Sequence, residues 1–197
     1  MNSDMPRENL PIIGDGIIDP PDDVAVLDAD RFKLAFRNHP AGVAVITADA
    51  GEGPVAMTVT SVFSVSAEPP LLVFSASAQS SATPTIKKSE TVVVHLLGAD
   101  QLGLAKLAAT SGADRFADVA WHRLPTGEAV YSDVHTWIRG RIVNKLQAGS
   151  STVFLIEALE AQCPEEGSPE MDAASAHPLV FHNRTWHSLD NDSKLNA

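Results

Sequence analysis

Short runs of β-branched and small apolar residues, separated by turn signals, constrain the fold of this chain most strongly. Gly42–Thr47 (GVAVIT) is one such run, and Val55–Val65 follows it after the turn residues Asp49, Gly51 and Gly53. Alternating character on both sides of a glycine-rich turn predicts a hairpin. Further strands are predicted at Leu71–Ser75, Thr91–Leu97, Trp137–Lys145, Thr152–Ala161 and Leu179–Trp186. The total is roughly seven strands.

Helical periodicity is confined to short segments. Asp28 is a suitable N-cap for a helix at about 30–38, which would carry Phe32, Ala35 and Phe36 on one face. Shorter helices are predicted at 85–89 and 101–110, and the segment around Trp121 and Gly127 reads as a loop. Non-parallel strands joined by hairpins and closed by a few peripheral helices predict a mainly β fold, a small Greek-key barrel.

The two ends of the chain have a different composition from the body. Residues 1–28 contain several prolines and predict an extended arm, because proline fixes φ and removes a backbone donor. Four isoleucines in the arm could lie on the body; a free tail is the alternative (Ile12, Ile13, Ile17, Ile18). We predict one domain over 29–190 and a polar C-terminal tail over 191–197.

The composition restricts the partners that the protein is expected to bind and the cellular compartment in which it is expected. The 197 residues carry a formal net charge of -11, which disfavours general binding to nucleic acid. Cys163 is the only cysteine, so neither an intramolecular disulfide nor a cysteine-based zinc site is expected, which suits a reducing compartment. No secretory signal is apparent, and the apolar runs are too short to span a membrane, so the expected location is the cytoplasm.

Small hydroxyl side chains recur after the first hairpin turn, at 58, 60, 61, 64 and 66. In an unbroken strand 58, 60, 64 and 66 would share one face, whereas a bulge would change this. Small hydroxyls and backbone amides at the mouth of a strand pair can meet the polar edge of an isoalloxazine ring without crowding it. Read alone, the run is also compatible with an ordinary strand.

A second hydroxyl-rich segment, Ser75–Lys88, leads into one of the predicted short helices. Serine and threonine hydroxyls, two lysines and the free amides of a helix N-terminus can together cradle a phosphate. A solvated serine-rich turn is the alternative.

Further along, Pro178–Leu189 contains an apolar strand, a polar Asn183-Arg184 turn and an aromatic strand, which predicts a closing hairpin in the core.

The order of these segments resembles the flavin reductase family. The resemblance covers about 31–189 and is carried by GVAVIT, AMTVTSVFSVSAEPPLL, SSATPTI, VVVHLL, GADRF, a tryptophan–glycine loop and PLVFHNRTWHSL. The most specific element is a Thr-x-x-Ser strand that runs into Ser-x-x-Pro-Pro. The resemblance implies a split β-barrel that binds FMN, or sometimes FAD, and that forms a homodimer.

The resemblance also implies the site residues. Thr58, Val59, Thr60 and Ser61 correspond to the stretch that meets the flavin ring and the ribityl chain. Ser81 and Thr83 correspond to the phosphate-binding Ser-x-Thr pattern, with help from Ser75 and Ser80. Arg115 lies in a family loop near the pocket; a surface ion pair with Asp114 is the alternative. No catalytic residue is assigned.

The chain departs from the family pattern at three positions. Ala56 stands where glycine is general, and His95 stands where many members have asparagine. Ser151, in Gly149-Ser-Ser-Thr152, stands where many members have a histidine tied to the nicotinamide. Loss of that histidine puts reduction by NAD(P)H in more doubt than binding of flavin.

The implied activity is that of an NAD(P)H:flavin oxidoreductase. Hydride would pass from the nicotinamide to flavin N5, and reduced flavin would supply oxygen, a partner monooxygenase or another acceptor. Two alternatives remain open: a flavin-binding carrier, sensor or electron-transfer module without reductase activity, and a cofactor-free barrel for protein interaction.

Other chemistries find less support. His177, His182 and His187 are spaced five apart, but no metal-binding motif accompanies them, and no metal is predicted. A nucleophile elbow and a Gly-x-Gly-x-x-Gly fingerprint are also missing. A nicotinamide would therefore bind by stacking on the flavin and not in a Rossmann domain.

Overall fold

A computed structural model describes residues 26–165 and 177–195. The helices are α1 (Ala29–Arg37), α2 (Thr83–Lys88) and α3 (Leu102–Ala109), and single 3-10 turns occur at Ala99–Gln101 and Asn191–Ser193. The strands are β1 (Ala41–Gly42), β2 (Ala44–Asp49), β3 (Pro54–Val59), β4 (Phe63–Ser66), β5 (Leu71–Ser77), β6 (Thr91–Leu96), β7 (Trp121–Arg123), β8 (Ala129–Tyr131), β9 (Thr136–Ala148), β10 (Ser151–Gln162), β11 (Leu179–His182) and β12 (Thr185–Ser188). The predicted mainly β class is confirmed.

The main sheet has seven strands in the order β3-β2-β6-β9-β10-β5-β4, and every pair in it is antiparallel. β5 and β6 follow each other in the chain but lie three places apart, a Greek-key arrangement. Shortly after the edge strand β3, the Ser61 hydroxyl accepts a hydrogen bond from the Ser75 amide (2.9 Å) and donates one to the Ser75 carbonyl (3.1 Å). Ser75 belongs to β5, which lies next to the other edge strand, β4. Smaller sheets of β1, β11 and β12 and of β7 and β8 complete the fold.

Side chains of the main sheet contribute to three clusters of buried residues in the described part of the chain, two of them large. Inside the barrel, Ile46, Met57 and Ile156 surround the stacked rings of Phe74 and Phe154, whose centroids are 4.9 Å apart. The opposite face of β2 and β3 packs against α3 and β8, in a second cluster. Its buried members include Val45, Ala56, Leu97, Ala105 and Tyr131. Successive residues of β2 and β3 therefore pack alternately into the two larger clusters.

The structure corrects several predicted boundaries. The strand predicted over Val55–Val65 is interrupted, because β3 ends at Val59 and Ser61 turns its hydroxyl to the backbone of β5. The predicted shared face of 58, 60, 64 and 66 is lost with it. The predicted loop around Trp121 and Gly127 is wrong, since β7 and β8 form a hairpin there. The closing hairpin predicted over Pro178–Leu189 is confirmed by the pairing of β11 with β12.

The ends of the chain are only partly covered. Most of the predicted arm, residues 1–25, and the last two residues of the predicted tail lie outside the described residues. The domain limits 29–190 stay a prediction. In the part of the chain that is described, no helix is both long and apolar enough to cross a membrane.

Candidate functional site

An open groove of about 830 Å³ lies between α1, the break after β3 and the turn that joins β11 to β12. Its volume falls within the ~300–1,000 Å³ typical of small-molecule sites. Thr60 and Ser61, two of the residues predicted to meet a flavin, lie in its wall. The groove is therefore the candidate site for a flat ring.

One wall of the groove is the aromatic face of α1. The helix begins where the Asp28 carboxylate accepts the amides of Asp30 (3.1 Å) and Arg31 (3.0 Å). It buries no residue, and the rings of Phe32 and Phe36, 4.8 Å apart, stay 53% and 57% exposed. Such rings offer a flat heterocycle a stacking surface at little cost in conformational entropy.

The predicted ring-binding stretch Thr58–Ser61 is split among three environments. The Thr58 hydroxyl donates to the Ala105 carbonyl of α3 (2.6 Å), and Val59 is buried in the barrel. Thr60 is exposed at the groove, while the Ser61 hydroxyl is fully used in holding Ser75. Thr60 and the backbone around it are thus left to meet a ligand, and Ser61 fixes their position.

The serine-rich loop between β5 and α2 forms a second polar region. The Thr83 hydroxyl is buried and donates to the Ser77 carbonyl (2.7 Å), which closes the loop. The Ser80 hydroxyl lies 4.0 Å from the Met57 sulfur of β3. The Ser81 side chain is exposed and accepts from Arg115 Nη1 at 3.4 Å. β3 therefore contacts this loop at Met57 and reaches the groove immediately after its end.

Arg115 is held in place by contacts on both its side chain and its backbone. Its Nη2 donates to the Thr110 carbonyl (3.1 Å) at the end of α3, and its own carbonyl accepts the Tyr131 hydroxyl (2.9 Å). Its Nε is the one buried side-chain donor or acceptor in the described residues without a partner. Because an unpaired buried donor is costly, the hydrogen bonding of this guanidinium is incomplete in the described residues. The alternative ion pair with Asp114 is absent from the described residues, where that carboxylate accepts the Phe116 amide (3.0 Å).

His95 lies in the interior, away from the groove. Its Nδ1 is 3.1 Å from the Val45 carbonyl, and its Nε2 accepts the Tyr131 amide at 3.2 Å, which assigns the proton to Nδ1. Burial lowers the pKa of His95 to about 4, against the weaker opposing effect of the Val45 hydrogen bond. The neutral imidazole thus fixes Tyr131, which in turn holds Arg115.

The structure groups the predicted residues in two places. Thr60, Ser61 and Ser75 belong to the groove side, and a second group lies at the loop before α2: Ser80, Ser81, Thr83 and Arg115. Thr58 and Val59 support the strand between them. These features fit a ring in the groove and a phosphate near Arg115.

Sequence reasoning missed most of the groove's walls. Phe63, Phe181, Arg37 and Arg184 line it, although they come from four separate elements. One local signal was available: Asn183-Arg184 is a two-residue turn in which glycine would be usual at the second position. The aromatic face of α1 was visible in the sequence, but its position beside Thr60 was not.

The histidines do not form a metal centre in the described residues, where no group of three or more His, Cys, Asp or Glu side chains is placed to hold an ion. His182 and His187 have ring centroids 5.5 Å apart. His182 Nε2 contacts Asn38 Oδ1 at 2.8 Å and so ties β11 to the end of α1.

Comparison with known proteins identifies the fold and the family. The flavin reductase like domain family matches residues 36–190. The NADH:FMN oxidoreductases of Rhodococcus qingshengii and Rhodococcus erythropolis are 38% identical over 160 residues, which covers 81% of each chain. The reductase component of a 4-nitrophenol 4-monooxygenase/4-nitrocatechol 2-monooxygenase from Rhodococcus opacus is 28% identical, covering 86% of this chain and 91% of that one.

A solved structure agrees with the sequence match. The flavin reductase domain protein of Arthrobacter sp. FB24 superposes with a TM-score of 0.74 at 32% identity, covering 85% of this chain and 98% of that chain. The predicted split β-barrel is confirmed by this likeness. With most of its length matched by the family and by these relatives, the chain belongs to the flavin reductase like domain family.

Proposed function

We propose that this protein is an NADH-dependent FMN reductase. The observation that carries the proposal is the 38% identity to NADH:FMN oxidoreductases over four fifths of both chains. An aromatic-walled groove beside Thr60 supports it, as does an arginine with an unpaired buried Nε at the serine-rich loop. FAD remains the second candidate cofactor.

In this proposal, each part of the site has one task. Thr60 and the neighbouring backbone orient the ring edge, and Phe32 and Phe36 cover part of its surface. Ser81 and Arg115 hold the phosphate, with Ser80 and Thr83 shaping their loop. When bound, the flavin accepts a hydride from the nicotinamide and passes electrons to an acceptor.

A flavin-binding protein without reductase activity is the second candidate. Ser151 favours it, because this residue stands where many relatives have a histidine and pairs in register with Ser77 beside the serine-rich loop. A serine there cannot take over the charge or the ring stacking of an imidazole.

Steady-state oxidation of NADH and NADPH with added FMN separates the two candidates. We expect FMN-dependent oxidation of NADH. A yellow protein that binds FMN but turns over neither nicotinamide would favour the second candidate, and failure to bind FMN at micromolar concentration would remove both.

We also propose that the protein works as a homodimer and supplies reduced flavin to a partner monooxygenase. The relative from Rhodococcus opacus is itself the reductase component of a monooxygenase. Exposed apolar side chains on two strands of the main sheet are consistent with a partner subunit: Phe63 (62% exposed) and Val65 (52%) on β4, and Leu146 (45%) on β9. Sedimentation equilibrium is expected to give twice the 20.9 kDa chain mass, and a monomer at micromolar concentration would contradict the dimer.

A further inference from the structure

The groove has the opposite charge character from the rest of the chain. Acidic residues outnumber lysine and arginine by 25 to 14. The groove is nevertheless lined by Lys33, Arg37 and Arg184, together with His39, and by no Asp or Glu among the described residues. A cationic cleft in an acidic protein attracts an anionic ligand and repels a cationic one.

Arg184 has an unusual backbone for its side chain. Asn183 and Arg184 form the two-residue turn between β11 and β12, with φ of 49° and 62°. Turns of this type favour Asn-Gly, because the left-handed region is unstrained for glycine and strained for a residue with a Cβ. A strained arginine that lines a groove indicates that the side chain, and not the turn, is required there.

The turn is also fixed against α1. The Asn183 amide donates to the Arg37 carbonyl (3.1 Å), and His182 contacts Asn38. Arg184 is therefore held on the wall that faces the end of the helix. Neither Arg37 nor Arg184 takes part in an ion pair within the described part of the chain, whereas Lys33 has only an exposed pair with Asp30 (3.2 Å).

We propose that Arg184, together with Arg37, binds the pyrophosphate of the nicotinamide dinucleotide and sets the affinity for this co-substrate. This inference rests on the proposed function. An FMN phosphate has its own donors at Ser81 and Arg115, which leaves the cations of the groove for a second anion. A pyrophosphate presents adjacent charged oxygens, which a guanidinium fork can bind in pairs.

Two substitutions of Arg184 separate charge from backbone strain. Arg184→Gly removes the cation and relieves the turn, whereas Arg184→Lys keeps both the charge and the strained φ. For Arg184→Gly we expect a KM for NADH and a Kd for ADP-ribose about tenfold higher, since a charge-assisted contact is lost. The kcat, the affinity for FMN and the Tm should not fall. Arg184→Lys should recover part of the affinity, because lysine restores the charge but not the guanidinium fork.

The matched control is Arg31→Gln. It removes a cation of α1 that does not line the groove. This variant should bind ADP-ribose like the unaltered protein. ADP-ribose binding, measured by calorimetry on FMN-saturated protein, needs no hydride transfer. Its loss in Arg184→Gly would therefore support the inference even if NADH oxidation were not found. Unchanged ADP-ribose binding in Arg184→Gly, or an equal loss in the Arg31→Gln control, would overturn it.

Discussion

Arg115→Met is expected to weaken FMN binding by about 10- to 100-fold and to leave riboflavin binding within about twofold of the unaltered protein. The guanidinium has one donor on the Thr110 carbonyl and one on Ser81, and its buried Nε lacks a partner in the described residues. A phosphate can use such donors in charge-assisted hydrogen bonds, each worth roughly 1.5–3 kcal/mol. Riboflavin has the same ring and ribityl chain without the phosphate.

Quenching of flavin fluorescence during titration measures both affinities. Ser81→Ala is the milder companion, because it removes one hydroxyl next to the guanidinium; its FMN affinity should fall several-fold. An equal loss for FMN and riboflavin would mean that Arg115 shapes the pocket and does not bind phosphate. No loss for either flavin would remove Arg115 from the site.

The local parts of this architecture could be predicted from the sequence because they depend on neighbours in the chain. The Asp28 cap starts α1, and short runs of β-branched and small apolar residues mark β2, β3 and β5. The hydroxyl-rich segments also contain residues of both candidate regions, since Thr60 lines the groove and the Ser81 hydroxyl accepts a hydrogen bond from Arg115.

The features that the sequence could not predict depend on contacts between residues far apart in the chain. The Thr58 hydroxyl is used by Ala105, 47 residues later, and this contact removes it from the groove. The break after β3 exists because Ser61 bonds to Ser75, which no periodicity reveals. The groove itself needs α1 beside β11, a contact between residues 144 apart in the chain.

The position of His95 could not be predicted from the sequence either. This residue differs from the family pattern, but it does not lie in the groove. Its two ring nitrogens connect β2 to Tyr131, and the Tyr131 hydroxyl supports Arg115. Phe116, the residue after Arg115, stacks on the Tyr131 ring at 5.3 Å. A histidine in the core thus positions Arg115 indirectly, and its protonation should loosen the contacts of Tyr131 and Arg115.

Protonation of His95 is expected to remove on the order of 3 kcal/mol of folding stability as the pH falls from about 6.5 to 4. Burial lowers the pKa of the folded imidazole to about 4, while the unfolded chain has an ordinary value near 6.5. Between these values the unfolded state binds the proton and the folded state does not. The stability contribution is therefore complete above pH 6.5 and is lost towards pH 4.

His95→Gln isolates this effect, because glutamine keeps one donor and one acceptor but does not titrate. Urea denaturation of both proteins across this pH range gives the difference in their unfolding free energies, which should shrink by the same amount as the pH falls. Two carboxyl groups also have shifted pKa values. Burial alone would raise the pKa values of Asp49 and Glu128, but hydrogen bonds from Arg123 and Thr126 lower them. Both carboxylates are present in both proteins, so their contributions cancel in the difference of the unfolding free energies. A difference that stays constant from pH 7 to 4 would show that His95 is not held neutral. In that case the Tyr131 amide could not be donating to a bare Nε2, and the link from the core to Arg115 would be broken at its first step.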